Sequence, residues 1–199
     1  MDATLTIYGI PQSRALRCLW AAREFGVPYN NEPVHFTKAR ESADLVKANP
    51  NARIPAIDDN GFTLYESMAI NLYLAKKHGA GHAIGLRSLE EEALAMQWSF
   101  WVMTEIEKPL LTIMLNALGM APADDATLAQ CRSALDRPLG VLEAHLADRA
   151  WLLGDRFTIA DLNVASVLVW ARGAKLDMTG FPKVAAWLKA CMSRPAFKG

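Results

Sequence analysis

Apolar residues recur along this chain in two rhythms. Up to about residue 78, short alternating stretches trade places with helical ones. From about residue 88 only the helical rhythm remains. Residues 4–8 alternate, with Leu5 and Ile7 on one side, and predict a first strand. Gly9, Ile10, Pro11 and Gln12 break it. Ser13 then stands before a run in which Leu16, Leu19 and Trp20 recur at helical spacing, and Gly26 supplies a stop. Residues 29–34 predict a second strand, and 38–48 a polar loop with a short helix around Leu45. Asn49, Pro50 and Asn51 punctuate the chain before Ile54, Ala56 and Ile57 open a third strand. Asp58-Asp59-Asn60-Gly61 is turn chemistry, because Asn and Gly accept positive φ, and 62–65 return as a fourth strand. Glu66 and Ser67 then open an amphipathic helix that ends near His78. The predicted order is β-α-β-α-β-β-α.

Gly79, Ala80 and Gly81 interrupt the pattern without the third glycine or the preceding strand of a dinucleotide loop. Residues 89–118 form one long periodic segment, with Pro109 expected to kink it. Residues 122–148 predict another helix. Thr158-Ile159-Ala160-Asp161 has the form of a capping box, and Phe157 is placed to staple onto Leu162. The helix behind it is apolar on nearly every face, as expected at the centre of a bundle. Phe181-Pro182 opens the last helix, running to about 192. The division is an α/β domain over 1–78, a linker over 79–88 and an all-helical domain over 89–199.

Composition narrows the function. The chain has 199 residues, 52% hydrophobic and 21% charged, enough for two small cores and too apolar for disorder. Its 21 basic and 21 acidic residues cancel, which leaves no electrostatic footprint for nucleic acid or an anionic membrane. No apolar run is long enough to span a bilayer, and no basic segment precedes an apolar one at the start, so neither an anchor nor a signal peptide is expected. Cys18, Cys131 and Cys191 are scattered and odd in number, which fits a reducing cytoplasm. His35, His78, His82 and His145 have no metal-ligand spacing, so no metal site is expected.

Candidate chemistry concentrates at two helix starts. Glu66 and Ser67 put a carboxylate and a hydroxyl where free backbone N–H groups and a positive dipole end suit a ligand carboxylate, although both residues also serve as plain caps. Ser13 stands at the other helix start.

Four segments together make the whole chain resemble a soluble, cytosolic-type glutathione S-transferase. They are residues 8–13 (Tyr-Gly-Ile-Pro-Gln-Ser), 49–56 (Asn-Pro-Asn-Ala-Arg-Ile-Pro-Ala), 64–70 (Leu-Tyr-Glu-Ser-Met-Ala-Ile) and 157–161 (Phe-Thr-Ile-Ala-Asp). The resemblance implies a thioredoxin-like N-terminal domain, with a cis peptide before Pro55, and an all-helical C-terminal domain. It implies that Ser67 binds the α-carboxylate of the glutathione γ-glutamyl end and that Glu66 faces its ammonium. Ile54 would pair its backbone with the cysteinyl unit, as an added strand does. Arg53 would help hold the peptide. Arg40, with Lys38 as its competitor, falls near the basic position that meets the glycyl carboxylate.

For the chemical step, the resemblance to serine-type members, bacterial and phi-like, points to Ser13. A thiol ionises more readily near a helix N-terminus and cations, and a hydroxyl donor stabilises the thiolate. Arg17, one turn on, matches a basic position in phi-like members and would add positive potential. Tyr8 is the rival, since tyrosine-type members carry their donor at the end of the first strand. Cys18, inside the helix, reads as packed, which separates the chain from cysteine-type members. Trp101, Met114 and Trp170 are candidates for the apolar electrophile pocket. Glu105 and Glu107 read as a solvated or interface face, and Asp161 as structural. The implied activity is conjugation of the glutathione thiolate to apolar electrophiles, with glutathione as co-substrate, no further cofactor, and a homodimer built on the third and fourth helices. A glutathione-dependent peroxidase or isomerase is an alternative on the same scaffold, although 9–13 lack the Ser-Ser-x-Cys loop of the isomerases. A non-catalytic glutathione-binding interaction protein is the other.

Overall fold

A computed structural model describes residues 4–198. The chain forms two compact units. One runs to Arg87 and takes in Pro195–Phe197, and the other is Ser88–Arg194.

The first unit follows the predicted order: β1 (Leu5–Tyr8), α1 (Ala15–Glu24), β2 (Tyr29–Glu32), a 3-10 turn (Phe36–Glu41), α2 (Ala43–Ala48), β3 (Ala56–Asp59), β4 (Phe62–Tyr65) and α3 (Ser67–His78). The sheet order is β2-β1-β3-β4, with β1 parallel to β2 and antiparallel to β3, and β4 antiparallel to β3. This is a thioredoxin-like α/β fold. Ile7 and Ile57, opposite each other in register, are fully buried, as are Trp20 of α1 and Ile70 and Leu74 of α3. α1 ends as expected: Gly26, at φ +62°, lets its own N–H reach the Arg23 carbonyl and that of Val27 reach the Ala22 carbonyl. At the hairpin, Asn60 and Gly61 both take positive φ, and Asp58 Oδ1 accepts from the Gly61 N–H at 2.7 Å. The chain end returns to α1, where Phe197 meets Trp20 edge-on and Arg23 Nε donates to the Ala196 carbonyl at 2.6 Å.

The second unit is helical: α4 (Leu89–Trp101), α5 (Lys108–Ala117), α6 (Asp125–His145), α7 (Ile159–Leu168), α8 (Trp170–Gly173) and α9 (Pro182–Ser193). The break expected at Pro109 takes a different form. Val102–Glu107, just before it, are π-helical, so the helix widens ahead of the proline. A proline lacks an N–H and crowds the carbonyl four residues back, and one wider turn accommodates both. Glu105 is exposed, whereas Glu107 is buried, so the two do not share the solvated or interface face expected of them.

Every residue of α7 is buried, so this helix sits at the centre of its unit. Its capping box is formed: Asp161 Oδ2 accepts from the Thr158 N–H at 2.9 Å, while Thr158 Oγ1 accepts from the Ala160 N–H at 3.2 Å. The second carboxylate oxygen of Asp161 accepts from the Leu152 N–H at 2.8 Å and from Trp187 Nε1 at 2.9 Å. Asp161 thus ties the preceding turn and α9 to the start of α7. Phe157 packs edge-on to Trp151 and under the Arg194 guanidinium. Among the described residues no helix is long and apolar enough to cross a membrane.

Candidate functional site

The sheet register brings three of the predicted segments to one end of the first unit. Tyr8 at the end of β1 is paired with Ala56 at the start of β3, and Ala56 with Tyr65 at the end of β4. These three residues form a row across the sheet. The segments just beyond it, Gly9 to Ser13, Ile54-Pro55, and Glu66-Ser67, therefore leave the sheet at the same end.

Gly9 holds the first two together. Its φ is +132°, and a Cβ there would lie 2.7 Å from Ala15 Cβ and 3.1 Å from Ile54 Cβ. Only glycine lets the loop out of β1 press between α1 and Ile54. Asn31 secures the same loop, with Nδ2 donating to the carbonyls of Ile7 and Gly9, both at 2.9 Å. The Ile54-Pro55 bond is cis. Buried Asn49 shapes the loop before it, donating to the Arg53 carbonyl at 2.7 Å and accepting from the Asn51 N–H at 3.0 Å. The roles of Gly9, Asn31 and Asn49 are not among those the sequence pattern predicts. A glycine directly after a strand was the visible signal for the first, and nothing local marked Asn31.

Ser13 is half-buried just ahead of α1. Its Oγ donates to the Ile10 carbonyl at 2.6 Å and accepts from the Ala15 N–H at 3.1 Å. It therefore does act as a local cap, and turning its proton toward a ligand means giving up the bond to Ile10 by rotation of the hydroxyl. Tyr8 lies in an apolar cluster with Val34, Ala39, Leu45, Ala48 and Ala56. Burial, then the nearby Asp44, Asp58 and Glu32, push its phenol above the usual range. Both features disfavour a phenolate there.

Glu66 is exposed at φ +71°, and Ser67, the first residue of α3, is buried. A glutamate at positive φ is an uncommon backbone state that ligand sites tend to retain. Arg17 does not stand in the open. It is fully buried, and one of its terminal nitrogens donates to Ser67 Oγ at 3.2 Å. Its neighbour Cys18 is equally buried, with its thiol 3.8 Å from the Ser67 carbonyl oxygen. Burial pushes the Cys18 thiol up, against the opposing pull of Arg17, so it stays protonated. Arg53 is exposed beside Ile54. Lys38 and Arg40 are both exposed on the same 3-10 turn, so burial does not separate them. Of the pocket candidates in the second unit, Trp101 stacks edge-on with Trp98, and Met114 packs 3.2 Å from where a Cβ on Gly173 would lie.

Comparison with known proteins gives this geometry a family. Residues 3–76 match the glutathione S-transferase N-terminal domain and residues 125–190 the glutathione S-transferase C-terminal domain. Glutathione S-transferase 3 of Zea mays is 35% identical over 209 residues, which take in 98% of this chain and 92% of the maize protein. The chain belongs to the glutathione S-transferase family. A solved structure of glutathione S-transferase-I bound with lactoylglutathione superposes with a TM-score of 0.86 at 28% identity, covering 98% of this chain and 97% of that one. Elongation factor 1-gamma of Homo sapiens is 28% identical over 202 residues, 97% of this chain, and this chain spans 45% of that relative's length. This chain is thus similar both to a transferase over nearly that protein's whole length and to less than half of a longer protein of another name.

Proposed function

We propose that this chain is a serine-type glutathione transferase, related in mechanism to bacterial and phi-like members. It joins the glutathione sulfur to apolar electrophiles. The observation that carries the reading is the shared sheet end, where the loop before α1, the edge residue Ile54 and the first turn of α3 emerge together. Glutathione lies across that end. Ser67 and the free N–H groups of α3 take its γ-glutamyl carboxylate, and Glu66 faces the ammonium. The Ile54 backbone pairs with the cysteinyl unit, Arg53 flanks it, and Arg40 or Lys38 meets the glycyl carboxylate. The sulfur then faces the head of α1. There the thiol gives its proton to solvent, and Ser13 Oγ–H donates to the thiolate that remains. The thiolate lone pair forms a C–S bond as the leaving group departs with its electrons. Glutathione is consumed as co-substrate, and this chemistry calls on no metal or redox group.

The protein is proposed to work in the cytoplasm as a homodimer, as members of the family generally are dimeric. Leu89, Met96 and Phe100 offer an exposed apolar stripe along α4 for that contact.

The similarity to elongation factor 1-gamma, and the Ser13 proton directed at Ile10, favour a second reading, a glutathione-binding module without turnover. Calorimetry and turnover together separate the two. Glutathione is expected to bind with Kd of the order of millimolar or tighter, and an activated chloronitrobenzene to be conjugated. Binding without conjugation supports the module. No binding at millimolar glutathione refutes both.

A further inference from the structure

We propose that Arg17 is a positioning residue of the γ-glutamyl subsite: its buried guanidinium occupies a lone pair of Ser67 Oγ and so directs the Ser67 hydroxyl proton at the ligand's α-carboxylate. The inference rests on the reading that Ser67 binds that carboxylate.

The geometry leaves little choice of roles. A guanidinium only donates, so in the 3.2 Å contact Ser67 Oγ is the acceptor. A hydroxyl has one proton, and with Arg17 on the acceptor side that proton is available to another oxygen. A ligand carboxylate, which only accepts, is the partner that completes the set. Without Arg17, the Ser67 hydroxyl is free to turn its lone pairs outward, toward the carboxylate it has to bind.

Two further observations fit. Arg17 is fully buried and Ser67 nearly so, so their interaction is poorly screened by water. The next residue, Cys18, brings its protonated thiol to the Ser67 carbonyl. Consecutive residues of α1 therefore hold both oxygens of Ser67. The helix whose head carries Ser13 also sets the carboxylate grip in its first turn, which couples the two ends of the ligand through one rigid element.

Arg17→Met and wild type are titrated calorimetrically with glutathione and with γ-aminobutyryl-cysteinylglycine, which is glutathione lacking only the α-carboxylate. Wild type is expected to prefer glutathione. Arg17→Met is expected to lose about tenfold or more in glutathione affinity, the scale of a charge-assisted hydrogen bond, and less than about twofold with the decarboxylated ligand. In turnover, the Michaelis constant for glutathione rises by more than kcat falls. Equal losses for both ligands would make Arg17 a packing residue and overturn the inference. A wild type that binds both ligands equally well refutes the Ser67 reading itself, a different result from the same titrations. Should Arg17→Met fail to fold, judged by circular dichroism, Arg17→Lys is measured with the same pair. It keeps the charge but not the fork, so a smaller loss confined to glutathione is expected. An equal loss for both ligands, or none, overturns the proposal.

Discussion

Replacing Ser13 by alanine separates its two jobs, capping and thiolate stabilisation, through pH. In the resting state Oγ donates to the Ile10 carbonyl at 2.6 Å. To serve a thiolate it exchanges that neutral bond, about 1 kcal/mol net, for one to a charged acceptor, about 1.5–3 kcal/mol. The gain of about 0.5–2 kcal/mol lowers the bound thiol's pKa by about 0.4–1.5 units, from a free thiol near 8.5. Removing the hydroxyl raises the bound pKa by the same amount. The thiolate fraction at neutral pH then falls about two- to thirtyfold, and the deficit closes once the pH exceeds the variant's own thiol pKa. The assay is the pH profile of kcat/KM for the electrophile at saturating glutathione, paired with ultraviolet thiolate absorbance of the binary complex. Ser13→Ala also removes the acceptor for the Ala15 N–H, worth about 0.5–2 kcal/mol of stability, so melts are run alongside. Superimposable profiles for variant and wild type would refute the reasoning. A shift produced by Tyr8→Phe instead would transfer the role to the phenol.

Gly9→Ala forces a Cβ to 2.7 Å from Ala15 Cβ at a φ of +132°, and strain plus overpacking of about 2–5 kcal/mol is expected in urea titration. A change below about 0.5 kcal/mol, the scale of an ordinary surface substitution, counts against the close approach. Asp161→Asn leaves at least one of three N–H donors facing an amide NH2, whichever way the amide turns. A loss of about 1–3 kcal/mol is expected by urea titration followed on Trp187 fluorescence, and near-neutrality would contradict the network. For Asp59, burial pushes the carboxyl up, but hydrogen bonds from Lys77 and Tyr73 outweigh it and hold the folded value below the usual range. Its contribution is therefore complete above the unfolded carboxyl pKa, about 3.9, and is lost as pH falls through the lower folded value. Lys77→Met should flatten that acid limb of the stability profile, and an unchanged limb would mean the pair contributes nothing.

Local chemistry made much of this legible in advance. The Asn60-Gly61 turn, the Gly26 stop and the Thr158–Asp161 box are decided within a few residues, because capping and positive φ are short-range requirements. The sheet end that gathers Ser13, Ile54, Glu66 and Ser67 followed from the β-α-β-α-β-β-α order once the segments were recognised. What stayed hidden was contact across sequence distance. Arg17 lies 50 residues from Ser67, and nothing in either neighbourhood marks the pair. Asn31 bridges to β1 from a strand that is itself mostly exposed. Pro109 predicts an irregularity but not its form, because a widened turn and a kink both accommodate the missing N–H. Glu107 reads from the sequence as part of a solvated or interface face, and its burial depends on packing that the local sequence does not encode.

The row formed by Tyr8, Ala56 and Tyr65 also works as a ruler. β1 and β4 are separated by one strand, so the segments that leave them start about 10 Å apart. A ligand gripped at both must present a thiol and a carboxylate with comparable reach between them. A γ-glutamyl linkage, with its extra methylenes, extends far enough. Free cysteine holds its two groups closer together and engages one anchor at a time. Selection among cellular thiols would then be made by length, through a spacing that backbone hydrogen bonds keep constant and that no single side-chain replacement resets.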